Sequence, residues 1–408
     1  MTSSSSPPKN KTSPKRNETD EIGVPIIDIS QADESKLIVQ IAEACSSWGF
    51  FQITSHGIPT QLLQDFKAQM EVFFDLPHDA KIALKRNECN ARGFFDDELT
   101  KRRRDWKEAL DVGVPGSRDW SLRDDADDNG CLDGFNQFPD EEDAPLFRST
   151  VVKYFEACAA LSDKIAILMA KGLGVGDDHD EDLLENLRNQ HTSYLRMNFY
   201  PPCPEDETTT TTNIVAEKKE EFDFPPSPLG ISPHRDAGFL TVLLQDDDCH
   251  SLQVEDRNKM KNNGEKEEQW VTVKPVPGAL TINTGDMAMI WSNGKYQAPL
   301  HRVVTDASKK RYSAPFFYNP GYSAKICPLS GIKEEKPIYH PCVWGYFRAV
   351  RFAGDLTDLG VEIQTSDFKV DEEENSEHLE TQAAFIKEAH FQQPFSVERY
   401  RPLLDNRS

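Results

Sequence analysis

Ser232-Pro-His-Arg-Asp-Ala-Gly-Phe-Leu-Thr-Val-Leu-Leu-Gln245 is the stretch on which the reading of this chain turns. Its second half is an apolar run of strand length. At its mouth stand a histidine and an aspartate two residues apart, His234 and Asp236. Side chains alternate along a strand, so on one strand the two would share a face and aim an imidazole nitrogen and a carboxylate oxygen at one point. A third donor must come from another strand. His301 follows 65 residues after Asp236, past the run Met287–Trp291, read as a strand, and the turn Ser292-Asn-Gly294. Two imidazoles and one carboxylate on one side of an octahedron leave three positions open, which suits Fe(II) that must take a chelating partner and then O2. Zinc instead favours tetrahedral sites with one open position.

A bare His-x-acid pair discriminates poorly, and the chain has two more, His179–Glu181 and His378–Glu380. Both fall in helical or solvated acidic stretches, where positions two apart diverge. His234 and Asp236 are distinguished by a second anchor, Arg311-Tyr312-Ser313, ten residues after His301. Arg311 and Ser313 share a strand face, and a guanidinium fork with a neighbouring hydroxyl is a donor set for a carboxylate.

Outward from this centre, the region from about 193 onward breaks into short apolar runs between Pro and Gly turns. They are Tyr194–Phe199, Gly238–Leu244, Ser251–Val254, Trp270–Val273, Leu280–Asn283 and Ser313–Tyr318. Many short strands at this spacing predict a β-sandwich or barrel, so the fold class is mainly β with flanking helices. Polar inserts at 205–228, with threonine throughout 208–212, and at 256–268 read as solvated loops. The segment 22–190 is mixed. Strands are predicted at Val24–Ile29 and Trp48–Ile53, a helix capped by Asp33 or Ser35, a helix over 60–74, an acidic loop over 121–143 and a long amphipathic helix over 145–172. The expected organisation is a tail at 1–21, an N-terminal region at 22–190 packing on the core, a catalytic core at 191–370, and an acidic linker with a helix over 378–390 in 371–408.

The net charge of −23 argues against nucleic acid or an anionic membrane face as partner and for solubility. No apolar run reaches the roughly 18–20 residues of a membrane helix. Eight scattered cysteines without a Cys-x-x-Cys pair read as reduced thiols, and the N-terminus has no apolar signal core, so a cytoplasmic monomer is expected. An organelle-directing role for the Ser- and Lys-rich tail stays open.

His234-Arg-Asp236, His301 and Arg311-Tyr-Ser313, in this order and spacing, resemble the Fe(II)- and 2-oxoglutarate-dependent dioxygenase family that includes isopenicillin N synthase. Asn198-Phe-Tyr-Pro-Pro-Cys203, Val24-Pro-Ile-Ile-Asp28 and Trp48-Gly-Phe-Phe51 fit the same resemblance. Gly93-Phe94, Asp105-Trp-Lys-Glu108, Trp344-Gly345 and Arg351-Phe352 look like its plant-type branch. Over roughly 22–370, the resemblance implies a double-stranded β-helix, or jelly-roll, core. His234, Asp236 and His301 would be iron ligands, Arg311 and Ser313 would bind the distal carboxylate of 2-oxoglutarate, and Asn198 and Tyr200 would lie beside it. The implied reaction is hydroxylation or desaturation of a small organic substrate with O2, releasing succinate and CO2, with ascorbate as an accompanying reductant. Two alternatives stand at this point: an oxidase of the same family that dispenses with 2-oxoglutarate, and a non-catalytic binding module. Phe317 has the strand parity of Arg311 and Ser313, and with Phe94, Phe95 and Trp106 it is a candidate for the substrate pocket.

Overall fold

The computed structural model describes residues 23–87, 90–97, 99–100, 103–114, 134–175, 181–189, 191–203, 229–256, 269–322, 324–329, 336–356 and 363–370. The predicted tail, the 205–228 insert, the 256–268 insert apart from Asp256, most of the acidic loop, the 378–390 helix and the histidines at 179 and 378 lie outside these residues.

The strands in chain order are β1 (Ile26–Asp28), β2 (Phe50–Thr54), β3 (Gly93–Phe95), β4 (Leu99–Thr100), β5 (Arg103–Arg104), β6 (Glu108–Gly113), β7 (Tyr194–Tyr200) and β8 (Leu229–His234). They continue with β9 (Leu240–Gln245), β10 (Leu252–Glu255), β11 (Trp270–Thr272), β12 (Leu280–Thr284), β13 (His301–Val304), β14 (Arg311–Tyr318), β15 (Lys325–Ile326) and β16 (Cys342–Val343). The helices are α1 (Glu34–Ser47), α2 (Thr60–Phe74), α3 (His78–Ile82), α4 (Phe147–Gly172), α5 (Glu181–Asn189), α6 (Asp286–Trp291) and α7 (Trp344–Leu356).

Two sheets face each other. The major sheet has eight strands in the order β1-β2-β12-β9-β14-β7-β6-β3, and the minor sheet four, in the order β11-β10-β13-β8. Chain before residue 190 thus supplies strands to both ends of the major sheet as well as helices on its outer face. Each helix grows from its pattern: Asp33 caps α1 by accepting from the Lys36 N–H at 3.1 Å. Leu37, Ile41 and Ala44, at helical spacing, are buried. α1 and α2 pack on α4, where Phe66 stacks on Tyr154 at 3.9 Å between ring centroids. Through Phe155, α4 meets Phe316 of β14 edge-on at 4.9 Å.

The parity of β14 divides the molecule. Tyr312, Ala314, Phe316 and Tyr318 join the outer core under the helices. Arg311, Ser313 and Phe317 alternate to the other face, opposite Tyr200, Asn198 and Tyr194 of β7. On the other side, Ser313 and Phe317 pair with Gln245 and Thr241 of β9. That inner face closes with the minor sheet, since Tyr200 and Leu243 cluster with Leu252, Val254 and Val303.

One predicted strand is a helix. Met287–Trp291 forms most of α6, because the backbone there is already engaged: Asp286 N–H donates to the Asp236 carbonyl at 2.8 Å and Met287 N–H to that of Gly238 at 3.1 Å. A five-residue apolar run does not by itself separate a buried helix from a strand. Removing the Phe66–Tyr154 stack tests the outer core: Phe66→Ala is expected to lower unfolding stability in urea by about 3–5 kcal/mol, with Fe(II) affinity of the folded protein unchanged.

Candidate active site

β8 and β13 pair so that His234 lies opposite His301, with ring centroids 4.3 Å apart. Phe50 meets the His301 ring edge-on at 5.4 Å. Asp236 arrives differently from its expected place on a strand beside His234. β8 ends at His234, and Asp236 stands in the turn before β9. The turn is stitched to the start of α6 by the two hydrogen bonds above, and by Gly285 N–H donating to the Phe239 carbonyl at 3.0 Å. A Cβ at Gly285 would collide with the Gly238 carbonyl oxygen, so this approach needs glycine.

The result brings the three predicted ligands together, one donor atom from each lying within 4.8 Å of the others. Asp236 Oδ1 is 3.7 Å from His234 Nε2 and 3.6 Å from His301 Nε2. The remaining valences are committed elsewhere. His234 Nδ1 bonds the Ser232 carbonyl at 2.8 Å and His301 Nδ1 that of Pro299 at 3.1 Å, which puts the ring hydrogens on Nδ1 and the lone pairs on Nε2. Asp236 Oδ2 accepts from Thr241 Oγ1 at 2.6 Å and Asn283 Nδ2 at 2.7 Å, leaving Oδ1 free to face the rings. Burial, then the neighbouring His301 ring, depress the His234 pKa, so its Nε2 is unprotonated at neutral pH. Burial works against the Asp236 charge, but the two histidines and the hydrogen bonds from Thr241 and Asn283 hold its carboxyl below the usual range. An unprotonated imidazole Nε2 beside an ionised carboxylate is what a divalent metal needs.

The inward face of the major sheet carries a second polar centre. Arg311, buried, donates from Nη1 to Ser313 Oγ at 3.1 Å and from Nη2 to Gln245 Oε1 at 3.3 Å. Its Cζ lies 4.9 Å from the centre of the Tyr200 ring. These hydrogen bonds all go to neutral groups. Asp246 feels the Arg311 charge but gives an oxygen to the Tyr312 N–H at 2.7 Å. Arg311 Nε and the neighbouring Asn198 Oδ1 are buried without hydrogen-bond partners. A buried guanidinium whose hydrogen bonds all go to neutral groups is a natural partner for a ligand carboxylate.

The pocket candidates divide. Phe317 faces inward, 4.7 Å from Tyr194 and beside Thr241 in register. Phe95 also faces inward, under the guanidinium groups of Arg86 and Arg196 at 3.6 and 4.8 Å. Phe94, by the same alternation, turns into the outer core against Phe73 at 6.3 Å, so the structure does not bring it to the site. Trp106 clips strand ends, its Nε1 donating to the Pro201 carbonyl at 3.2 Å. Sequence reasoning missed Thr241, Asn283 and Gln245. Thr241 and Gln245 are the two polar residues of the otherwise apolar β9, four apart and so on one face, and that parity was the available signal for them.

The sequence profile of the 2OG-Fe(II) oxygenase superfamily matches residues 191–320, and that of the non-haem dioxygenase in morphine synthesis N-terminal region matches residues 24–141. Jasmonate-induced oxygenase 2 of Arabidopsis thaliana is 30% identical over 346 residues, spanning 80% of this chain and 78% of the relative. Gibberellin 3-beta-dioxygenase 1 of Pisum sativum is 29% identical over 331 residues, 79% of this chain and 75% of its own. Among solved structures, JOX2 in complex with 2OG, Fe and JA superposes with a TM-score of 0.61 at 27% identity, covering 80% of this chain and 84% of that one. The dioxygenase for auxin oxidation in rice, at 23% identity and a TM-score of 0.59 over 81% of this chain and 95% of its own, shares the fold. The chain belongs to the 2OG-Fe(II) oxygenase superfamily. It is a 2-oxoglutarate-dependent dioxygenase with a double-stranded β-helix core, using Fe(II), 2-oxoglutarate and O2 on a small-molecule substrate.

Two outcomes test the metal centre. Asn283→Leu should weaken Fe(II) binding by about 10–100-fold in anaerobic titration while circular dichroism is unchanged, because the Asp236 carboxylate loses one of the two bonds that orient it. For the pH test the sign is set by His234. Below about pH 6.5 the unfolded chain takes up a proton that the folded apoprotein refuses, so this group makes stability fall as pH drops. His234→Gln cannot take that proton, and its apoprotein Tm should fall less steeply than the parent's from about pH 6.5 downward.

Proposed function

We propose that His234, Asp236 and His301 hold Fe(II), that Arg311 and Ser313 bind the distal carboxylate of 2-oxoglutarate with Tyr200 and Asn198 beside it, and that the enzyme hydroxylates a carbon of a small organic metabolite. The observation that carries this reading is the link, through Thr241 of β9, between the metal-type cluster and the inward face that holds Arg311. A His-Asp-His cluster with its Nε2 and Oδ1 atoms converged is supported by Thr241 of β9, the strand beside β14, whose inward face carries a buried arginine that makes hydrogen bonds only to neutral groups.

When bound, Fe(II) supplies activation of O2, coupling the oxidative decarboxylation of 2-oxoglutarate to succinate and CO2 with oxidation of a substrate C–H bond. The protein's share is orientation. Thr241 and Asn283 fix the Asp236 carboxylate, and the Ser232 and Pro299 carbonyls fix the two rings. Arg311 offers its fork, with the Ser313 hydroxyl alongside, and the Tyr200 ring backs the guanidinium. Asn198 Oδ1, without a hydrogen-bond partner in the protein, is placed to accept from the bound molecules or a water beside them. Phe317 and the apolar wall of Leu243 and Tyr200 exclude bulk water.

The relatives include a jasmonate-induced oxygenase and gibberellin dioxygenases, which supports a hydroxylated small metabolite as product. The net charge of −23 favours such a substrate over nucleic acid. Free thiols at Cys45, Cys158, Cys203, Cys249, Cys327 and Cys342 fit a reducing cytoplasm, and no described helix is long and apolar enough to cross a membrane. A monomer is the working form in this reading, with residues 22–190 and 191–370 acting as one catalytic unit.

Turnover assays decide it. His301→Ala should abolish Fe(II) binding. Arg311→Gln should raise the 2-oxoglutarate KM by at least about tenfold while Fe(II) affinity stays near that of the parent. Consumption of O2 without loss of 2-oxoglutarate would overturn the assignment.

A further inference from the structure

Asp105-Trp-Lys-Glu108 lies where the chain crosses from one sheet to the other. Near its start the Trp106 N–H donates to the Leu229 carbonyl of β8, in the minor sheet, at 3.3 Å. At its end Glu108 pairs with Phe199 of β7, in the major sheet. Alternation divides the four side chains. Trp106 and Glu108 turn one way: Trp106 Nε1 donates to the Pro201 carbonyl at 3.2 Å, and Glu108 accepts from the Lys81 ammonium at 2.6 Å. Asp105 and Lys107 turn the other way and meet each other, Oδ2 to Nζ at 3.3 Å. Their side chains are 1% and 3% exposed, so this ion pair is all but sealed from water.

One step along from the Glu108–Phe199 pair, Lys107 falls beside Tyr200, and Tyr200 is opposite Arg311 on its other side. Lys107 and Arg311 thus flank Tyr200 on the inward face. The Tyr200 ring lies against β8, the strand that ends in His234: a Cβ on Gly230 would sit 2.8 Å from its Cδ1. The Lys107 charge is felt at His234. Burial and the His301 ring do most to depress the pKa of that histidine, and Lys107 adds to them. Acting through space, the charge needs no direct bond to a metal or ligand, and it is weakly screened in these buried surroundings. A sealed ion pair contributes little net stability relative to apolar side chains of the same volume. What it does fix is the place of a positive charge.

Resting on the assignment of His234, Asp236 and His301 to iron and of Arg311 to 2-oxoglutarate, we propose that Lys107, locked by Asp105, is a positioning residue for the co-substrate. It is a fixed positive charge that weakens the hold on the bare metal ion and strengthens the hold on the anion that joins it. The charge count gives the sign. A divalent metal on Asp236 and two neutral imidazoles carries one net positive charge, which Lys107 repels. The doubly negative 2-oxoglutarate turns this into one net negative charge, which Lys107 attracts. The site gives up affinity for metal alone and gains it for metal with co-substrate.

The experiment uses the full-length protein under anaerobic conditions at one ionic strength. Fe(II) affinity is measured by calorimetry on the metal-free protein. The affinity for 2-oxoglutarate is read from growth of the charge-transfer band at saturating Fe(II). Lys107→Met is expected to tighten Fe(II) binding and to weaken 2-oxoglutarate binding, each by at least about threefold. Lys107→Arg keeps the charge and should leave both within about twofold of the parent. Lys107→Met/Asp105→Asn removes both charges of the buried pair. It should move the two affinities in the same opposite directions by a smaller factor, since it is the lysine charge that reaches His234. Where circular dichroism shows Lys107→Met to be unfolded, the paired variant decides. A purely structural role predicts otherwise, because damage to the site weakens both affinities together. Both affinities falling, neither changing, or Lys107→Arg behaving like Lys107→Met would overturn the assignment. A parent that binds no Fe(II), or a His301→Ala variant that binds it undiminished, would count against the metal site itself, and the role of Lys107 would fall with it.

Discussion

The two oxygens of Asp236 do different jobs, and the site depends on that division. Oδ2 is taken by Thr241 and Asn283, from two adjacent strands of the major sheet, so Oδ1 is left facing the Nε2 atoms of His234 and His301 on the minor sheet. The carboxylate is therefore the point at which the two sheets meet in chemistry as well as in space. Holding it there requires the turn after β8 to be rigid, and that rigidity comes from α6: the N–H groups of residues 285–287 are spent on carbonyls of the turn. Asp286 extends the support outward through its 3.0 Å contact with Arg351 of α7. Burial raises the Asp286 pKa to about 6, against the pull of Arg351 and Arg235. Such a group is kept for position rather than for net stability.

The inner face of the major sheet organises everything else. Alternation along β7 and β14 sends one set of side chains into the aromatic core under α2 and α4 and the other to the face turned toward the minor sheet. The inward set runs from Arg311 and Tyr200 at one end to Phe317, Tyr194 and the arginines around its ring at the other. A sheet is well suited to this because its register is rigid, and a slip of one residue would exchange the two faces entirely.

Much of the site was legible in the linear chain because strand periodicity is a local property. The spacing of Arg311 and Ser313, and of Asn198 and Tyr200, follows from alternation alone, and the structure gives both pairs a common face. Phe317 and Phe95 fall on the inward side, whereas Phe94, adjacent in sequence to Phe95, falls on the other. Where the reading failed, tertiary contacts had overridden local preference. Met287–Trp291 has no local feature that marks it as helical, and its form is set by carbonyls some fifty residues earlier.

By itself the sequence pointed to the mainly β character of the core and to His234, Asp236 and His301 as candidate metal ligands. It also pointed to Arg311 and Ser313 as a candidate carboxylate fork, because residue type, order and period-two spacing are written in the chain. Only the tertiary structure decided that Asp236 reaches the histidines from a turn, that Thr241 and Asn283 leave it one oxygen, and that Arg92, Arg196 and Arg348 gather at Tyr194. Most of these are contacts between residues tens to more than a hundred positions apart. No local periodicity encodes which distant side chains a folded sheet will bring together.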